Sequence, residues 1–163
     1  MKSKLRVLLS LLSVLMAFSA SSQSVDHLNG TQAERDSLKN TSIAIRAAFS
    51  KGDVDRILAF HHPDVIKATS YQSYQTGRES LRPGLKGTLD NFHLEFVENN
   101  TESLLINGNT AIEQTLFVIK GTPKGNGQPF IFKGRSMIVY VKYKESPTGW
   151  ATIREMIQPA TDK

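Results

Sequence analysis

Between residues 31 and 50 the apolar side chains Leu38, Ile45 and Phe49, with Ala44 and Ala48, recur at helical spacing, which predicts an amphipathic helix starting at Thr31. Gly52 stands where a left-handed terminating residue is wanted, and Asp53 is placed to cap a second, short helix over residues 54–60. Val54, Ile57 and Leu58 share one face of that helix, so the two form a helical hairpin. The segment His61-His62-Pro63-Asp64 should end it, because a residue before proline is pushed out of the α region. A short strand over 65–68 follows, then a polar, aromatic loop containing Tyr71 and Tyr74. Residues 77–81 open a third helix, which Pro83-Gly84 should kink or shorten.

After Asn91 the period changes from helical to alternating. Phe92, Leu94 and Phe96 alternate with His93, Glu95 and Val97, and residues 102–106 form a second run. Asn107-Gly108-Asn109 is a hairpin turn leading into a strand over 110–120. Residues 130–144 and 150–158 complete the sheet. Helices gathered at one end of the sequence and a meander at the other predict an α+β domain with a mostly antiparallel sheet.

The amino terminus does not fit this domain. Lys2, Lys4 and Arg6 precede an apolar run of about a dozen residues, too short for a membrane anchor, and then small residues suited to a peptidase. Residues 1–22 therefore read as a secretory signal, with cleavage after Ala20, Ser21 or Ser22, and residues 23–30 as a flexible leader to a single domain over 31–163. The mature chain is expected to be secreted or periplasmic, without a membrane attachment. Removing Lys2, Lys4 and Arg6 lowers the formal charge from +5 to +2. The remaining cations are interleaved with acids, which argues against a nucleic-acid partner. The absence of cysteine excludes disulfides, thiol catalysis and cysteine-ligated metal.

Gly52-Asp53 before a short helix, His62-Pro63-Asp64, Thr76-Gly77-Arg78-Glu79 and a last strand opening Gly149-Trp150 together resemble the nuclear transport factor 2-like superfamily over roughly residues 35–158. The superfamily includes ketosteroid isomerase and SnoaL-like cyclases. The resemblance implies a curved sheet wrapped round helices as a cone, with an apolar pocket inside. Lys67 stands where the isomerase would need its acid, and residues 130–144 contain no Asp, so the isomerase's residues do not carry over.

Alternation in the last strand puts Trp150, Thr152, Arg154 and Met156 on one face, and that face is the one expected to line the pocket. Tyr71, Tyr74 and Arg135 complete the candidate ligand-binding set. Glu113 lies within an apolar run and is read either as a general acid/base or as half of a buried pair with Arg135 or Arg154. His62 is the second candidate for proton transfer. His61 and His62 lack the spacing of a metal site, and neither a metal nor another cofactor is expected. Residues 130–144 are apolar on both faces, which calls for a second copy of the chain against the outer side of the sheet, a homodimer. Two functions follow: binding of a small apolar or anionic molecule, or cofactor-independent acid/base chemistry of the cyclase, isomerase or dehydratase kind on a carbonyl-bearing substrate.

Overall fold

The structure is a computed structural model and describes residues 28–160; the expected export signal and the first part of the leader lie outside the described residues. Helix α1 (Gln32–Lys51) begins where the sequence places it. Thr31 and Glu34 form a reciprocal capping box, and Gly52 closes the helix in the left-handed conformation at φ 70°. Asp53 accepts the Arg56 backbone N–H at 2.9 Å to start α2 (Val54–Ala59). Asn29 and Gly30, assigned above to the leader, are tied down: Asn29 bridges to Ile106, and both carbonyls accept from Arg35.

Strand β1 (His61–Ala68) starts four residues earlier than the helix-end reading placed it. The Thr152 N–H bonds to the Phe60 carbonyl at 2.9 Å, so pairing with the last strand takes over from the helix before Pro63 is reached. After β2 (Tyr74–Thr76), a 3₁₀ turn (Arg78–Leu81) runs directly into α3 (Arg82–Asn91). Pro83 does not shorten this helix. It sits in the first turn, where a missing N–H breaks no bond.

Strands β3 (Phe92–Asn107), β4 (Thr110–Pro123), β5 (Phe130–Lys142) and β6 (Trp150–Pro159) form the meander. The two apolar runs predicted before the hairpin are one long strand, β3. It keeps its pairing with β4 through two irregularities, at Phe96/Glu98 and Thr101/Ser103, which break the alternation in the sequence. The sheet order is β2-β1-β6-β5-β4-β3, with β1 parallel to β6 and the other pairings antiparallel.

The sheet is curved, with helices packed in its concave side. Leu38, Ile106, Ala111, Tyr140 and Trp150 pack together in one part of the interior. Ala48, Ile57, Leu89 and Leu94 pack a second part, with Phe49, Leu85 and Ile119 against them. On the other side of the sheet Leu116, Ile131, Met137 and Met156 are all exposed, Met156 to 67%.

Candidate functional site

Strand register defines three rows of side chains across the hollow. One runs Leu104, Glu113, Ile138, Glu155, Lys67 and Gln75. A neighbouring row runs Ile106, Ala111, Tyr140, Thr152 and His61, and another Thr101, Thr115, Ser136 and Ile157. Beyond them the wall is apolar, carrying Phe96, Phe117, Ile119 and Phe132. Helix α1 faces the sheet with Ser42, Ile45, Arg46 and Phe49, an i, i+3, i+4, i+7 stripe. Between them lies a cavity of about 440 Å³. Exposed Gly84 and Thr88 of α3 and Phe130 of β5 line it too and mark its opening.

The polar end of the cavity is internally paired. Lys67 Nζ lies 2.6 Å from Glu155 Oε2, with side-chain exposures of 15% and 12%. Glu113, only 6% exposed, accepts the Thr101 hydroxyl at 2.8 Å and the Tyr140 phenol at 3.1 Å. Each of its oxygens accepts one of these bonds. Burial, and then the charge of Glu113, hold the Tyr140 phenol well above its ordinary range, so it stays protonated and donates. Thr115 and Ser136 share a hydrogen bond of 2.8 Å. Arg46 donates to the Ser42 hydroxyl at 2.6 Å and forms no salt bridge among the described residues. Desolvation lowers its pKa, and the charge of Glu113 opposes that shift. His61 is 2% exposed, and its Nδ1 lies 2.9 Å from the Ile57 carbonyl.

Solved structures share this fold. A conserved protein from Planctomyces limnophilus superposes with a TM-score of 0.71 at 18% identity, covering 80% of this chain and 100% of that one. A ketosteroid isomerase-like protein from Erwinia carotovora atroseptica gives a TM-score of 0.67 at 14% identity, over 81% of this chain and 100% of that one. A nuclear transport factor 2-like superfamily protein from Salmonella enterica serovar Typhimurium gives 0.64 at 15% identity, over 80% and 93%. The fold is the nuclear transport factor 2-like cone. No family model matches the sequence, and no curated protein matches it significantly. Identities this low establish the nuclear transport factor 2-like fold and leave the activity to be argued from the site.

The cone redistributes the residues singled out from the sequence. Strict alternation fails in β6 because Ile153 is an extra residue: Tyr140 pairs with Thr152, whereas Val139 pairs with Arg154. The bulge reverses the facing of every later residue. Thr152, Glu155 and Ile157 therefore line the cavity, while Arg154 and Met156 are exposed and do not. Trp150 is buried in the core beside Leu38 and Tyr140 instead of lining the cavity. Arg135 lies opposite Leu116 on the outer face, bonded to Glu102 at 2.7 and 2.9 Å. It is therefore no partner for Glu113, and neither is Arg154, which donates to the Asp64 and Ile153 carbonyls.

Tyr71 and Tyr74 are exposed, to 98% and 64%, and the loop reaches the cavity through Thr69 and Ser73 and through Gln75 of β2 instead. His62 stacks edge-on against Tyr143 away from the cavity, and its neighbour His61 takes the inward position. Glu113 is buried, with hydroxyl partners in place of a cation. Arg46, His61, Lys67 and Glu155 were missed. Arg46 lies beside the Leu38, Ile45, Phe49 stripe, and His61 and Lys67 fall on the odd-numbered face of β1 once its start is known.

Burial, and then the nearby Lys67 charge, lower the His61 pKa from 6.5 to about 4. Below pH 6.5 the unfolded chain takes up this proton first, so the contribution is present at neutral pH and is lost as pH falls toward 4. The loss should reach about 3 kcal/mol. Urea midpoints at pH 7 and pH 4.5 measure it, and His61→Phe should flatten this part of the profile; an unaltered slope in that variant would contradict the assignment.

Proposed function

We propose that the cone binds a small, neutral, mostly apolar molecule. One observation carries this reading: the charges at the cavity cancel. Lys67 is paired with Glu155 in the wall, Arg46 is offset by Glu113, a buried carboxylate that does not itself line the cavity, and His61 is uncharged at neutral pH. An anion entering would add a net charge in a desolvated space, at a cost that a neutral ligand avoids. A cavity of about 440 Å³ with a mainly hydrocarbon wall is of the size that holds a small organic molecule. Binding is favoured over acid/base catalysis because His62 stands outside the cavity and both Glu113 oxygens are engaged.

Titration calorimetry at pH 7.4 with 4-cyclohexylphenol and 4-cyclohexylbenzoate tests the reading. The phenol should bind at least about tenfold more tightly, a difference of about 1.4 kcal/mol. Tighter binding of the benzoate, or binding of neither, rejects it.

The same proposal includes export and pairing. Residues 1–22 are removed on secretion, and a native amino terminus at Met1 would argue against this. A second copy covers Leu116, Ile131, Met137 and Met156 on the outer face, and a monomer mass in sedimentation would reject that part.

A further inference from the structure

We infer that the ligand carries a hydroxyl group on its apolar skeleton, and that His61 Nε2 is the acceptor that recognises it. This rests on the cone being a binding site for a neutral molecule. The Ile57 carbonyl can only accept, so the 2.9 Å contact fixes the ring proton on Nδ1. Nε2 then keeps its lone pair, on the edge of the ring that can be presented to the cavity. The depressed pKa described above keeps it an acceptor throughout the neutral range.

The charged and phenolic groups of the wall do not offer this, nor does the hydroxyl pair beside them. Arg46 and Lys67 are donors, Glu155 is held by Lys67, and Tyr140 donates to Glu113. Thr115 and Ser136 are bonded to each other. Among the described residues no side chain donates to His61 Nε2. No sealed side-chain polar atom lacks a partner among the described residues, so Nε2, which has no donor in the protein, is open to the cavity. A ligand filling the cavity takes it out of solvent, and a ligand hydroxyl that supplies the proton is then favoured over a ligand of equal shape without one. The ligand class is therefore an alcohol or phenol on a hydrocarbon body, with that body against Phe96, Phe117 and Phe132.

The full chain is titrated with 4-cyclohexylphenol and with its methyl ether, 4-cyclohexylanisole. The phenol should bind about fivefold to tenfold more tightly, and His61→Phe should bind the two alike. Equal affinities in the unaltered protein, or a preference that survives in His61→Phe, overturn the inference while leaving the binding site intact. Binding of neither compound overturns the site and the inference together. Should His61→Phe fail to fold, the ¹⁵N resonance of His61 Nε2 in the unaltered protein decides. It should move on adding the phenol and stay in place with the ether; a resonance unmoved by bound phenol overturns the assignment.

Discussion

Lys67→Met should destabilise the folded chain by about 3 kcal/mol, and the double replacement Lys67→Met/Glu155→Leu should restore stability to within about 1 kcal/mol of the parent. The ion pair is almost fully enclosed, at 2.6 Å and with side-chain exposures of 15% and 12%. Removing the ammonium alone strands the Glu155 carboxylate in the cavity wall, where neither bulk water nor another cation compensates it. Removing both members leaves an apolar wall of similar volume, and the desolvation cost disappears with the charges. Urea denaturation of the parent, the single and the double variant gives the comparison. A single variant as stable as the parent would mean that Glu155 is solvated and the cavity is wetter than described.

Ile138→Trp should weaken binding of 4-cyclohexylphenol about a hundredfold or more, while stability changes by less than about 1.5 kcal/mol. Ile138 stands midway between Glu113 and Glu155 in the row that crosses the hollow; it packs against the core on one side and lines the cavity on the other, so a larger side chain there has the cavity to grow into. Met137 is one residue earlier on the same strand, is 50% exposed and lies on the outer face. Met137→Trp should leave the affinity unchanged, which makes the pair of variants a direct reading of strand alternation. Calorimetry on both variants checks it, and equal effects from the two would place the ligand elsewhere.

The elements whose signals are local were legible in the sequence. Thr31, Gly52, Asp53 and the Asn107-Gly108-Asn109 turn fix chain direction through their own backbone chemistry, and each lies at the boundary where it was expected. The α+β class followed from the change of period near Asn91. The site was less legible because it depends on features set by pairing between strands. No local signal marks Ile153 as an extra residue, yet that bulge decides that Glu155 faces the cavity and Arg154 does not. The boundary between α2 and β1 is settled by the bond from Thr152 to Phe60, some ninety residues away in the chain. That boundary decides which of two adjacent histidines enters the hollow. Arg46 was missed for another reason: a cation beside an apolar helical stripe reads as surface until the opposing sheet is known to curve away from it.

Methyl-resolved NMR of the isoleucines during addition of 4-cyclohexylphenol tests the central claim, that a ligand sits inside the cone. Ile45, Ile119, Ile138 and Ile157 line the cavity, whereas Ile43, Ile112 and Ile131 are exposed. The first four methyl signals should shift as the phenol is added and the other three should hold still. Shifts confined to Ile43, Ile112 or Ile131, or none in any isoleucine, would contradict the account.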